Sequence, residues 1–229
     1  YAFASYHRLF GHCKITGTLE MMTGATSLVA EYNGVDKVPH VRKKLAWMAY
    51  ITETVQMLGK QACLDPITEF GMDVMMPNRM AINAAKFTYA SNFHEMCQHM
   101  QDIGGGLTTT VPAFRDWNNP ELKPFIEKYL AAKDGVPTEE RLRILRLIKD
   151  ITSNHWQVDT IHGEGSMAAQ EMFLYGSADW NKYRSAARRT VGLDGWQDDP
   201  IYGKLPVQKE HVKMPEVDES YKSIPPSAK

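Results

Sequence analysis

Gln98-His99-Met100-Gln101-Asp102-Ile103-Gly104-Gly105-Gly106-Leu107 carries a helical pattern straight into three consecutive glycines. Each glycine costs roughly 1 kcal/mol relative to alanine inside a helix, so the run is not there to make helix. Two readings follow. The glycines can close a helix and open a loop, or they can let a cofactor or another subunit approach the backbone with no Cβ in the way. Gln101, three residues ahead of Gly104, adds a side-chain amide that donates and accepts at once.

Working outward, Asn78 reads as the N-cap of the helix that the glycines end, predicted over residues 79–103. A second long helix is predicted over 38–64. There Val41, Leu45, Met48, Ile51 or Thr52, Val55, Leu58 and Ala62 make an apolar stripe, and Asp65-Pro66 ends it. A third is predicted over 3–31, with Phe3, Tyr6, Phe10, Cys13, Leu19, Met22 and Leu28 as its inward stripe and Gly11, Gly17 and Gly24 as points of close helix packing. Residues 66–79 read as irregular, and Thr108 to Pro112 as extended or turn. Shorter helices are predicted from Asn119-Pro120 to about Ala132, from Pro137 onward with Leu142, Leu145, Ile148 and Ile151 or Thr152 facing inward, over 166–176 and over 179–191. Arg141, Arg143, Arg146 and Lys149 on the second of these read as a solvated face. The fold class is all-α, a helical bundle.

Five of the twelve prolines lie from Pro200 onward and apolar periodicity stops there, so 193–229 reads as an extended tail that wraps a neighbour or moves. At 229 residues the chain can bury a sizeable core. A net charge of −1, from 26 basic and 27 acidic residues, argues against a nucleic-acid partner. No apolar run is long enough to span a membrane. Three scattered cysteines and the lack of a leader point to a reducing, cytoplasmic setting. The apolar, uncapped opening at Tyr1 reads as mid-helix, which suggests the carboxy-terminal part of something longer.

Two constellations could carry chemistry. His7-Arg8-Leu9-Phe10-Gly11-His12-Cys13-Lys14 packs two histidines, a thiol and two cations into predicted helix. Lys14 beside Cys13 favours thiolate, the form that ligates metal or attacks. His7 and Cys13 are six residues apart, about 240° around an α-helix, so only a bulge would bring them to one line. His12 can equally be a buried structural histidine. The second constellation is Asp159 with His162-Gly163-Glu164-Gly165-Ser166. Here Asp159 and His162 are acid and base candidates and the helix start at Ser166 offers N–H groups to an anion; a capped loop is the plainer alternative.

The Gln101-Asp102-Ile103-Gly104-Gly105 segment, the Glu31-Tyr32-Asn33-Gly34 turn, Lys14 beside Cys13, and His162-Gly163 with Gly165-Ser166 and Ala169-Gln170 together resemble one family. It is the 4-hydroxybutyryl-CoA dehydratases (vinylacetyl-CoA isomerases), grouped with the flavin-dependent 4-hydroxyphenylacetate 3-hydroxylases. The resemblance covers about residues 1–192 and implies the carboxy-terminal helical domain of an acyl-CoA dehydrogenase-like flavoprotein, with amino-terminal helical and middle β domains absent from this sequence. It implies a homotetramer, an acyl-CoA substrate, and FAD held by Gln101, Gly104 and Gly105 from a neighbouring subunit and by His162 and Gly163. A 4Fe-4S cluster would take Cys13 and His7 as ligands, with His7 also a base, Lys14 a catalytic cation and Asp159 an auxiliary acid.

The chain departs from the dehydratase pattern in four places. It has one residue fewer between His7 and Cys13, Phe10 in place of a tyrosine, Asp159 in place of a glutamate and Glu164 in place of an alanine. Cys63 and Cys97 match no cluster position and read as buried thiols. Three functions are thereby in play: a lyase or isomerase using FAD and iron–sulfur, a reduced-flavin aromatic monooxygenase, and a non-catalytic oligomerisation subunit that only contacts flavin.

Overall fold

A computed structural model describes residues 2–68, 74–155, 161–163 and 165–193. Its helices are α1 (Ala2–Tyr32), α2 (Pro39–Leu64), α3 (Arg79–Gly104), α4 (Leu107–Thr110), α5 (Phe114–Trp117), α6 (Lys123–Tyr129), α7 (Thr138–Ser153), α8 (Met167–Ser177) and α9 (Trp180–Thr190). Two short antiparallel strands, β1 (Ile67–Thr68) and β2 (Met75–Met76), pair Ile67 with Met76 and Thr68 with Met75. The chain is thus all-α, with α1, α2 and α3 packed mutually and α7 and α8 laid against them.

The three long helices bury one another because each carries a stripe at helical spacing. On α2 the stripe is the expected one, with Val41, Met48, Ile51, Thr52, Val55 and Ala62 buried, and Gly59 added. On α3 it is Ala85, Tyr89, Phe93, Met96, Met100 and Ile103. Asn78 caps α3 as its side-chain oxygen accepts from the Ala81 N–H at 3.0 Å, which satisfies a donor that has no partner within the helix. Pro39 stands in the first turn of α2, where its missing N–H costs nothing.

On α1 the expected stripe is wrong over its first half. Phe3 and Phe10 are each 81% exposed, Tyr6 and Leu28 are largely exposed and Cys13 is exposed; only Leu19 and Met22 of that set are buried. The buried face instead runs Ser5, Arg8, His12, Ile15, Leu19, Met22, Thr26 and Val29, an unbroken alternation of threes and fours. The expectation joined two faces at the step from Cys13 to Leu19, whose six residues turn the helix by about 240°. Gly17 and Gly24 are not packing points either, since among the described residues nothing lies within 4 Å of where their Cβ atoms would be. The close approach of α1 and α2 falls at Gly59, where a Cβ would sit 1.8 Å from His12 Nε2.

Other local readings also change. Residues 66–79 contain the β1–β2 pairing, Thr108–Thr110 belong to the helical turn α4, and the helix expected from Pro120 is shorter, α6, preceded by the separate turn α5. Thr108 closes α4 on the glycine run, its Oγ1 donating to Gly105 O at 2.8 Å, and a helix this short persists through its packing against α7. Residues Tyr1–Ala178 and Asp179–Lys229 form two compact units. Within the second, Asp179 caps α9 by accepting from the Lys182 N–H, and Arg188 and Arg189 complement its carboxy-terminal dipole. The expected tail beyond 193 lies outside the described residues.

Candidate active site

The glycine run resolves into three positions with three different reasons. Gly104 is glycine for internal packing: a Cβ there would meet Thr108 Cγ2 at 2.4 Å and Leu145 Cδ2 at 3.6 Å. Gly105 is glycine for its backbone, at φ 70° and ψ −161°, a conformation that side-chain-bearing residues scarcely reach. Among the described residues, nothing lies within 4 Å of its absent Cβ. Gly106 is bound by neither constraint. The turn therefore both caps α3, with Gly105 N–H donating to Gln101 O at 2.8 Å, and leaves an exposed backbone beside exposed Gln101. Asp102 pairs with Lys44 of α2 and fixes the last turn of α3.

His7, Phe10, Cys13 and Lys14 are all exposed, on the face of α1 opposite its buried stripe. The helix is regular from Ala2 to Tyr32, with no bulge between His7 and Cys13. They stand about 120° apart around the axis and about 9 Å apart along it. Lys14 falls within about 20° of His7, seven residues being nearly two turns. The His7 imidazole stacks on the Phe3 ring, with centroids 5.6 Å apart and planes 6° from parallel. Tyr6 Oη donates to Met75 O at 2.9 Å and ties the β2 strand to the edge of this face.

Beneath it lies a buried polar layer. Ser5 and Asn83 are fully buried, Arg8 and Lys86 are each 2% exposed, and His12 is 9% exposed. An Arg8 Nη1 hydrogen bond reaches Asn83 Oδ1 of α3. The Arg8 guanidinium also lies 4.5 Å from the centroid of the Phe173 ring of α8. Burial against Gly59 lowers the pKa of His12 through desolvation, so the neutral imidazole is the favoured form. Its Nδ1 and the Ser5 hydroxyl have no hydrogen-bond partner among the described residues.

The second constellation folds onto this layer. Ser166 caps α8 by accepting from the Ala169 N–H at 3.3 Å, which commits to an internal bond one of the N–H groups that an anion would need. Gln170, fully buried, donates its Nε2 to Gly165 O at 3.0 Å and to Ile161 O at 3.4 Å, and so holds both ends of the loop. A Cβ on Gly165, whose φ is 104°, would lie 3.6 Å from Arg8 Nη2. His162 and Gly163 are exposed on that loop. Asp159 and Glu164 lie outside the described residues.

The structure thus brings the loop at 161–165 to the His7–Cys13 end of α1, joined through Arg8, and places the glycine turn elsewhere. Asn33, just past the other end of α1, donates its Nδ2 to Ile103 O at 3.1 Å. Twenty residues of helix separate Cys13 from that point, about 30 Å. One molecule cannot use Gly105 and Cys13 on the same small ligand. Sequence reasoning missed Asn83 and Phe173, and named Arg8 and Gln170 without giving either a role; the signal was the polar stripe Ser5, Arg8, His12, whose spacing continues directly into Ile15, Leu19 and Met22.

Cys63 is exposed, contrary to expectation, while Cys97 is buried, with its thiol pushed up to about 12 by desolvation. Among the described residues no group of three or more His, Cys, Asp or Glu side chains could hold a metal ion. Also among them, no helix is long and apolar enough to cross a membrane.

Comparison with known proteins adds the following. Residues 1–192 match the family model described as 4-hydroxyphenylacetate 3-hydroxylase C terminal. The chain is 29% identical over 208 residues to the 4-hydroxybutyryl-CoA dehydratase/vinylacetyl-CoA-Δ-isomerase of Clostridium aminobutyricum, covering 83% of this chain and 41% of that one. It is 28% identical over 137 residues to the oxygenase component of 4-hydroxyphenylacetate 3-monooxygenase of Thermus thermophilus, covering 60% and 28%. Among solved structures, an oxygen-tolerant archaeal 4-hydroxybutyryl-CoA dehydratase from N. maritimus superposes with a TM-score of 0.74 at 31% identity, over 84% of this chain and 39% of that one. The HpaB oxygenase component complexed with FAD and 4-hydroxyphenylacetate gives 0.72 at 23% identity over 80% and 39%, a likeness of fold. The chain spans about two fifths of the length of the dehydratases it matches.

Proposed function

This chain belongs to the 4-hydroxyphenylacetate 3-hydroxylase family, as its match over residues 1–192 shows, and from that premise we propose that it is the helical part of a flavin-dependent lyase or isomerase. The reaction is the dehydration of a hydroxyacyl-CoA or the shift of its double bond. The observation that carries the reading is the outward face of α1, where His7, Cys13 and Lys14 are exposed above a buried polar layer. A helix that turns its aromatic and titratable residues outward, and its arginine inward, is built to meet something other than its own core. The higher identities to dehydratases than to oxygenases favour acyl-CoA over phenol as substrate.

In this reading FAD would lie against Gln101 and Gly105 of one subunit of a homo-oligomer, a tetramer, with Gly104 buried behind them shaping the turn, and against His162 and Gly163 of another. The fit rests on the open backbone at Gly105. Bound there, FAD would supply electron transfer to and from the substrate. The His7 imidazole takes the substrate's C2 proton. Lys14, nearly in line with it along the helix, places a cation beside the negative charge that develops as that proton leaves. Phe3 keeps the imidazole oriented and shields one of its faces from water. Asp159 is assigned the auxiliary acid role on sequence alone.

A 4Fe-4S cluster does not fit this chain by itself. Cys13 and His7 could give two ligands, but Cys97 is buried on α3 and Cys63 belongs to α2. Any further cysteine ligands must come from outside this chain, so no step is routed through the cluster.

A second reading, a reduced-flavin aromatic monooxygenase, is favoured by the oxygenase relatives and by the regular helix between His7 and Cys13, which leaves the two residues on different lines. Iron content and a visible spectrum of the holoprotein, followed by turnover of a hydroxyacyl-CoA, separate the two. Stoichiometric iron with CoA thioester turnover is the expected result. Flavin without iron, with hydroxylation of a phenol, would establish the second reading. Neither flavin nor iron would leave a non-catalytic oligomerisation subunit.

A further inference from the structure

We infer that Arg8 is the positioning residue of this site: a buried guanidinium that ties α1, α3 and α8 together and so holds the loop carrying His162 against the His7 end of α1. The inference rests on the activity proposed above for its catalytic consequence, and on geometry alone for the clamp.

A cation on the inward face of a helix is expensive, and it persists only where the surroundings satisfy it. At 2% exposure Arg8 has given up nearly all its water. In return it donates to Asn83 Oδ1 on α3 and lies over the face of Phe173 on α8. Asn83 is itself fixed, its Nδ2 donating to Arg79 O at 2.6 Å, so its Oδ1 is aimed at α1. Beyond the ring, Nη2 lies 3.6 Å from where a Gly165 Cβ would be. Gln170 then grips the loop from the other side through Gly165 O and Ile161 O. The guanidinium is therefore the wall against which Gly165 rests, and it departs from the helix one residue after His7.

Only an arginine does this. Lysine would keep the charge and lose the planar fork that stacks on Phe173 while bonding Asn83. A loop left unsupported at that point moves His162 relative to His7, and a misplacement of about 1 Å in a reacting constellation can cost about 10²-fold. The effect falls on the rate of the chemical step, since Arg8 and Asn83 are too deeply buried to bind substrate themselves.

The test uses the full-length holoenzyme carrying Arg8→Lys, with Arg8→Met beside it in case the lysine variant folds poorly. Amide hydrogen exchange is measured without substrate, and kcat and KM are measured with 4-hydroxybutyryl-CoA. The expected result is exchange over residues 161–177 accelerated about tenfold or more, with residues 41–62 of α2 unchanged. Along with it, kcat falls about tenfold to hundredfold while KM stays within about threefold. Unchanged exchange over 161–177 would overturn the clamp, as would acceleration spread equally over α1, α2 and α3, which marks an ordinary core residue. Faster loop exchange with an unaltered kcat would overturn the positioning role. If the unsubstituted protein does not turn over the thioester, the activity reading fails by itself and the exchange measurement alone decides the clamp.

Discussion

Helix α1 is two regions under one regular backbone. From Ile15 to Val29 it does what an amphipathic helix does, burying Ile15, Leu19, Met22 and Val29 against α2, α3 and α7. From Phe3 to Lys14 the same face carries Ser5, Arg8 and His12 inward and leaves Phe3, Phe10 and Cys13 outside. The spacing never breaks; only the chemistry inverts. A core made of apolar side chains gains roughly 1.5–3 kcal/mol for each large residue it buries. The first half forgoes that gain and takes on the desolvation of a guanidinium and an imidazole. Such a concession in an otherwise consistent helix is the pattern expected where function competes with folding, and it is why the chemistry is proposed for this half.

Substitutions in the two halves should therefore differ most in stability. Leu19→Ala removes a fully buried side chain and is expected to cost about 2–5 kcal/mol, whereas Phe10→Ala, at 81% exposure, should stay within about 0.5 kcal/mol, both read from denaturant midpoints. A Phe10→Ala variant as damaging as Leu19→Ala would erase the distinction.

Gly59→Ala probes the boundary between the halves. Its Cβ would fall 1.8 Å from His12 Nε2, so the buried imidazole must move, at a cost of about 1–3 kcal/mol. Combining it with His12→Ala should restore more than half of that loss, because the three nearest atoms all belong to that ring. An additive double variant would show that the helices repack instead.

Gly105→Ala places a side chain at φ 70° and ψ −161°, for a backbone strain of about 1–3 kcal/mol. The added methyl meets nothing among the described residues. Any loss of flavin retention beyond the stability change therefore reports on a group approaching from outside, and wild-type flavin content in the variant would remove Gly105 from the cofactor site.

A smaller effect distinguishes the halves by pH. Desolvation holds the folded-state pKa of His12 below its ordinary 6.5. The unfolded chain then binds the proton more readily, and the contribution is fully present above about pH 6.5 and lost as pH falls below it. His99 shifts the same way, chiefly by burial. His12→Gln and His99→Gln should each flatten part of the acid slope of the unfolding free energy; an unaltered slope in both would contradict the burial of these rings. Thiol labelling gives the mildest check. Cys13 and Cys63 should alkylate readily, while Cys97, buried with its thiol held near 12, should react only on unfolding.

The legible part of the fold was its regular part. Apolar spacing places α2 and α3 within a residue or two, and Asn78, Ser166 and Asp179 cap where a side-chain oxygen before a helix should. What escaped was set by tertiary contact. The four-residue turns α4 and α5 carry no periodicity of their own, and β1 and β2 are too short to alternate. The inward face of α1 was missed because apolar residues were followed where, at the site, the polar ones point in. At the glycine run the sequence supports a close approach, but only the φ of Gly105 and the contacts of Gly104 separate the residue open to a cofactor from the one packed against its own chain.

The claim that the outward face of α1 performs the chemistry is tested most directly by His7→Gln in the full-length holoenzyme, assayed for hydroxyacyl-CoA turnover beside its unfolding midpoint. An exposed imidazole acting as base predicts kcat lowered about 10²-fold to 10⁴-fold with the midpoint unmoved. Turnover within about twofold of the unsubstituted enzyme would contradict the claim, since a general base contributes far more than that.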